Sequence, residues 1–380
     1  MAPRVLLISK PVVPPYHDGS KCLVREISTN LRSVAATVMV TRGDRNPVEL
    51  QGSPGFLSPS TLAVYRGESG FTPALMDNAQ VAASLLFGRG IDLWHFVFAP
   101  NPRTSQVGRF LRRVRGIPVV QTVASAPQNL ERIDELLFGD VVVAQSRDTE
   151  TRIVEACERR RVTPPRLQVI PPPVAAVPTP DAEEVRALGE QLGIPVGAPT
   201  LVYPGDLEIS CGAEKFASLI EPVHVLLPDT HFVFACRMKT AAAGAIQQDL
   251  QARFPGSYVH FAGELPSLPV LYGLTTAVLF PVDDLTNKVD LPIALLEAMS
   301  LGVPVLAASR GPLQDLHGSE RLPLDPLDGW AHAAHRLVTD VGHAQQAAEA
   351  GRVAVGRYFS AERVAASYES LYVDLAVRAG

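Results

Sequence analysis

Glu297 stands in the stretch LPIALLEAMSLG with Leu291, Ile293, Leu295, Leu296 and Met299 around it. A carboxylate in such company must find hydrogen-bond donors or raise its own pKa. Paired ribose hydroxyls are one solution, and an exposed polar edge of a helix is the other. Lys288 and Asp290 stand just ahead of it. Two more cations, Arg237 and Lys239 in FVFACRMKT, directly follow an apolar run. There they suit a diphosphate, Arg as a planar fork and Lys as a point charge, unless they simply solvate a strand end. Near the start, PYHDGSKCLVREI puts Gly19 and Ser20 where a loop turns into a helix. Free N–H groups and the positive end of the helix dipole make that turn a seat for phosphate, with Asp18 or Ser20 as a plain N-cap as the alternative. Neither a G-x-G-x-x-G after a strand nor a G-x-x-x-x-G-K-[ST] occurs, which argues against a dehydrogenase and a P-loop ATPase.

The elements that must hold these residues are short apolar runs bounded by Gly, Pro or charge: RVLLIS, ATVMVT, DLWHFVFA, PVVQTV, DVVVAQS and LQVIPPP. Continuous apolar strands separated by helical spacing, as in VREISTNLRSV, predict a doubly wound parallel sheet with helices on both faces. PPPVAAVPTPD then reads as a linker, because proline neither extends a helix nor donates to a sheet. A second series follows in TLVYPGD, HFVFACR, YVHFAGE, AVLFPVD and VPVLAAS, and predicts a second Rossmann-like half. RYFSAERVAASYESLYVDLAVRA closes the chain as an amphipathic helix. In parallel sheets ligands sit beyond the carboxyl ends of the strands, which adds Gly205 after TLVYP, and His17, Asp18, His95 and Asn101 in the first half, to the candidates. His95 reads equally well as a packed strand residue.

With 380 residues, two cores are the expectation. The net charge of −5 provides no global field for nucleic acid or an anionic membrane, so small-molecule partners are expected. The four cysteines are widely spaced, without a C-x-x-C pair or zinc spacing, so they read as reduced thiols. The apolar run VLLI before Lys10 is far too short for a signal core or a membrane span, and a cytoplasmic protein is expected. Peripheral contact with the inner face of the membrane stays open, since a few surface residues suffice for it.

The stretch K-x-D-L-P-x-x-L-L-E-A-M-x-x-G-x-P-V-L-A-A-S resembles the donor-nucleotide signature of family-4 retaining glycosyltransferases of the GT-B fold. LVYPGDLEISCGAEKF, LQVIPPPV, VVVAQSRDTETRI and RYFSAERVAASYESLY resemble further segments of that family in the same order. The resemblance implies an α/β protein with two Rossmann-like domains facing each other across a cleft and a C-terminal helix that crosses back to the first. Residues 1–175 plus 358–380 would bind the acceptor, and 176–357 the nucleotide-sugar donor. It places Glu297 on the donor ribose, with Gly19, Ser20, Gly205, Arg237, Lys239, Lys288, Leu291, Pro292 and Ile293 on the donor side. It also exposes departures. The first glutamate of the family pattern falls at Val289, with Lys288 and Asp290 as the catalytic candidates to replace it. The family's diphosphate-binding Arg and Lys fall at Asp206 and Cys211, and a histidine expected after PVVQTV is replaced by Ala124 and Ser125.

The implied reaction moves a sugar from a nucleotide-diphosphate sugar to a hydroxyl acceptor with retention. No cofactor or metal is expected, as no D-x-D occurs. The acceptor, a small molecule, a glycan or a lipid-linked hydroxyl, would lie near His17, Asp18, His95 and Asn101. Two other readings stand beside it: a noncatalytic GT-B binding or scaffold protein that has lost its donor cations, and a nucleotide-sugar epimerase on the same fold.

Overall fold

The computed structural model describes residues 2–379 except 15, 17, 45–49, 53, 68–73, 128, 239, 266, 286 and 287. The chain divides into two compact units. One comprises Met1–Ala175, Thr286–Asp290 and Phe359–Gly380, and the other Ala176–Leu285 and Leu291–Tyr358.

The first unit is built on seven strands: β1 (Arg4–Ile8), β2 (Ala35–Thr41), β3 (Ser60–Tyr65), β4 (Leu93–Phe98), β5 (Val119–Val123), β6 (Val141–Ala144) and β7 (Arg166–Val169). All pair in parallel in the order β3-β2-β1-β4-β5-β6-β7. The connecting helices are α1 (Gly19–Thr29), α2 (Leu75–Phe87), α3 (Pro102–Arg115), α4 (Ile133–Leu136) and α5 (Arg147–Arg160). Side chains alternate across the sheet, as the pleat demands. Val5 and Leu7 join the core under α1, while Leu6 and Ile8 join the one under α2 and α3. The strand order reverses direction after β3, and α2 and α3 pack on the opposite face from α1.

The second unit holds β8 (Thr200–Tyr203), β9 (His231–Phe234), β10 (Val259–Phe261), β11 (Ala277–Phe280), β12 (Val305–Ala308) and β13 (Glu320–Leu322) in the parallel order β10-β9-β8-β11-β12-β13. Its helices are α6 (Ala182–Leu192), α7 (Gly212–Leu226), α8 (Ala242–Arg253), α9 (Leu268–Tyr272), α10 (Ile293–Ser300), α11 (Asp328–Thr339) and α12 (Val341–Ala354). Tyr203 centres its core, stacked 5.7 Å from both Phe216 and Phe280.

The last helix, α13 (Ala361–Ala379), belongs to the first unit. Val364, Tyr368, Leu371, Tyr372 and Leu375 fill the same core as Leu23, Val24 and Ile27 of α1. The proline stretch is pinned where it leaves that unit: Val174 N–H donates to the Phe359 carbonyl at 2.8 Å, and Ala361 N–H to the Val174 carbonyl at 3.0 Å. Two strands escape the apolar-run reading. β3 is an edge strand, largely half-buried, and β13 is three residues long with only Leu322 apolar. Neither presents the continuous apolar run of a central strand.

Candidate functional site

In the first unit Asp18, Gly19 and Ser20 lie beyond the carboxyl end of β1, and Asn101 beyond that of β4. Asp18 caps α1: its Oδ1 accepts from Ser20 N–H at 2.8 Å and from Ser20 Oγ at 2.5 Å, and Lys10 Nζ lies 2.6 Å from Oδ2. Burial pushes this carboxyl up, but the Lys10 and Ser20 hydrogen bonds and the Lys10 charge outweigh it and hold it at about 2. The carboxylate is therefore spent on its own loop. Lys21, 4 % exposed, reaches the Val13 carbonyl at 3.2 Å. Gly19 opens α1, and a Cβ there would fall 2.7 Å from a methyl of Val289. The valine at the family's first-glutamate position thus packs directly on this glycine, both within the first unit. His17 lies outside the described residues.

Asp290, one residue on from Val289, is 1 % exposed and takes the Ser146 hydroxyl at 2.6 Å. Ser146 is also the N-cap of α5, accepting from Thr149 N–H. Burial raises the Asp290 carboxyl to about 6, with the Ser146 hydrogen bond working against it. In this structure Asp290 is a buried anchor of the returning segment and shows no face to a sugar, which differs from the expected sugar ligand. The reason is the capping serine of α5, 144 residues away in the chain. Lys288 is half-buried beside it. Next to Ser146, the amide of the fully buried Gln145 has no hydrogen-bond partner among the described residues.

His95 is not placed for an acceptor. It is fully buried, with Nδ1 2.7 Å from the Tyr372 hydroxyl and Nε2 2.7 Å from Thr122 Oγ1, which in turn lies 3.0 Å from the Tyr368 hydroxyl. Burial drives its pKa down to about 3, so the ring is neutral. It ties α13 to β4 and β5. Asn101 is the exposed N-cap of α3, accepting from Thr104 N–H at 3.0 Å.

In the second unit, Gly205 follows β8 where any side chain would overlap the Tyr203 ring. Asp206, at the position of the family's arginine, is fully buried, and its Oδ1 accepts from the backbone N–H groups of Ile209 and Ser210, both at 2.9 Å. The acid therefore folds the loop inward on its own backbone. Its backbone bridges that of Arg237, so Gly205, Asp206 and the half-buried Arg237 form neighbouring strand ends. Lys239 lies outside the described residues. Lys215, on the first turn of α7, has Nζ 3.1 Å from Asp283 Oδ1 beyond β11. Sequence reasoning missed this cation, although its signal was visible four residues after the lysine position lost to Cys211.

Leu291 is buried, Pro292 occupies the N-cap position of α10, and Ile293 begins the helix. Glu297 is the fifth of its eight residues, one turn beyond the helix start, and is half-buried while Leu295, Leu296, Ala298 and Met299 are buried. Burial and then the Glu297 charge push the Tyr272 phenol well above its ordinary value, which puts that carboxylate near Tyr272. The Tyr272 hydroxyl donates to the Ala294 carbonyl at 2.7 Å, holding α10 to α9. Among the described residues no three His, Cys, Asp or Glu are grouped to hold a metal ion.

Two parallel α/β units of this topology define the GT-B fold. Sucrose-phosphate synthase from Thermosynechococcus elongatus superposes with a TM-score of 0.74 at 20% identity, covering 100% of both chains. Anabaena HepE in complex with UDP-glucose gives 0.73 at 15% identity, over 97% of this chain and 99% of that one. A UDP-forming α,α-trehalose-phosphate synthase from Burkholderia xenovorans gives 0.68 at 13%, over 99% and 100%. Residues 198–340, within which lie Gly205, Arg237 and Glu297, match the family model of glycosyl transferases group 1. No protein of curated function matches the chain by sequence.

Proposed function

We propose that this chain is a glycosyltransferase that moves a sugar from a nucleoside-diphosphate sugar to a hydroxyl acceptor, with retention and without a bound metal. The observation that carries the reading is Glu297: a half-buried carboxylate that is the one charged residue of its helix, inside the segment that matches glycosyl transferases group 1. A carboxylate has lone pairs enough to accept from both hydroxyls of a ribose, and at half burial part of it is open to solvent and ligand. Gly205, Arg237, Leu291, Pro292 and Ile293 complete the donor side, and Arg237 and Lys215 are the cations to meet the diphosphate, with Lys239 as a further candidate. HepE and the trehalose-phosphate synthase are described with UDP-glucose and as UDP-forming, so UDP is the first nucleotide to test.

Departure of the nucleotide develops negative charge on the leaving phosphate and positive charge on the sugar. Fixed cations aimed at that phosphate are the largest stabilising contribution available. The leaving phosphate itself takes the acceptor proton, so no general-base pair is required. Lys288 contributes positive charge, and the apolar Val289 replaces a hydroxyl-binding carboxylate.

Titration of UDP and GDP by calorimetry tests the donor assignment. Glu297→Ala and Arg237→Ala should each weaken the bound nucleotide by roughly tenfold or more, the cost of unpairing charge-assisted hydrogen bonds. Unchanged affinity in both variants would overturn the assignment. Retention is checked by the anomeric coupling constant of the product, and metal independence by unchanged turnover in chelator.

A further inference from the structure

The outward faces of α2 and α3 do not look like surfaces meant for water. Along α2 the exposed row is Met76, Ala79, Ala83 and Phe87, and the helix's one charged residue, Asp77, is buried. Along α3 the exposed row is Arg103, Val107, Phe110 and Val114, with Gln106 and Arg113 exposed beside it. Phe87 and Phe110, at 75 % and 61 % exposed, are the only large exposed phenylalanines among the described residues. Solvent-facing helices ordinarily carry charge on that side, and exposed apolar patches mark interaction surfaces.

The two rows lie side by side. The helices pack against each other on one face of the sheet, and the Arg115 guanidinium at the end of α3 donates to the carbonyls of Leu86 and Gly88, which flank Phe87. α3 carries five arginines and no acid. Arg109, Arg112 and Arg115 are spent on backbone carbonyls and, for Arg112, on Asp140 as well. Arg103 and Arg113 have no acidic partner among the described residues, and Arg89 is exposed just beyond Phe87. Of the acids beside α3, Asp140 is paired with Arg112, and Asp134 and Glu135 of α4 are paired with Arg160 and Arg132.

We propose that the outward faces of α2 and α3 dock on an anionic lipid bilayer, with Phe87 and Phe110 entering the acyl boundary and Arg89, Arg103 and Arg113 meeting the head groups. Apolar and aromatic side chains flanked by arginine without acid are the chemistry of an interfacial helix, and the cations match the charge of the bilayer surface. A second copy of the chain is a poor occupant, because a two-fold contact would set these arginine rows against each other. The docking concerns a face of the first unit that the donor assignment does not use, so either can fail without the other.

Flotation of the full chain with vesicles of phosphatidylcholine, with and without phosphatidylglycerol, tests this. The protein should float with the anionic vesicles, be released by salt and stay behind with the neutral ones. Phe87→Ser with Phe110→Ser, and separately Arg103→Glu with Arg113→Glu, should each weaken partition by roughly tenfold or more. Denaturant midpoints should stay at the wild-type value, since all four side chains are exposed. Absence of flotation, flotation unchanged in both double variants, or a solution dimer that these substitutions dissolve without any vesicle binding would overturn the proposal.

Discussion

At the scale of the residue, burial decides which polar groups are free to act. Asp290 and His95 are both candidates by type and both sealed inside the first unit, one on Ser146 and the other between Tyr372 and Thr122. Asp290 is held with its pKa raised to about 6 from 3.8. The folded state therefore binds the proton more tightly than the unfolded one, and the stability this contributes is present at low pH and lost as pH rises through 6. Asp290→Asn, which keeps an acceptor for Ser146, should raise the unfolding midpoint above pH 6 and change little below pH 4. A denaturant series over pH reads this directly. His95→Ala should cost about 3 kcal/mol, through the lost ring and the buried Tyr372 hydroxyl left unpaired, while Thr122 keeps the Tyr368 hydroxyl. It should leave nucleotide affinity intact, as calorimetry would show.

At the scale of the element, the loop after β8 shows how an acid beyond a strand end acquires a structural role. Asp206 holds the N–H groups of Ile209 and Ser210, and Gly205 passes where only a bare Cα clears Tyr203. Asp206→Arg should lower the unfolding midpoint, because a buried cation replaces a carboxylate that holds two backbone N–H groups. It should not tighten UDP. Gly205→Ala should destabilise by about 1–3 kcal/mol, since Tyr203 is wedged between Phe216 and Phe280 and cannot retreat. Both changes are read by denaturant unfolding beside a UDP titration.

At the scale of the whole molecule, acid stability sums over histidines kept neutral. His260, which lies 2.8 Å from a ring nitrogen of His231, is lowered to about 4 by burial and then by that neighbour, and His95 to about 3 by burial alone. Unfolded histidine titrates near 6.5, so on acidification the unfolded chain takes up protons that the folded one refuses. The stability these rings contribute is complete above pH 6.5 and is lost as pH falls toward 4 and 3. Asp290 and the buried Glu26, both raised by burial, work in the opposite sense, but they are two groups against three, since burial lowers His231 as well. The denaturation midpoint should therefore fall between pH 6.5 and 4, and His260→Gln should flatten that slope. No helix of the described residues is long and apolar enough to cross a membrane.

The sequence by itself determined the parallel α/β character of both halves, because central strands buried on two faces must be written as unbroken apolar runs. It also determined the helix that carries Glu297, because an acid among leucines and a methionine stands out wherever the chain folds. It did not disclose β3 or β13, whose edge positions relax that demand. Tertiary structure alone decided what the remaining candidates do. Val289 rests on Gly19, Asp290 on Ser146 and His95 on Tyr372 because the chain returns to the first unit twice, at 286–290 and again at 359–380. A contact between residues so far apart in the chain leaves no periodicity or spacing to read, and with it goes the burial that turns a reactive side chain into a structural one.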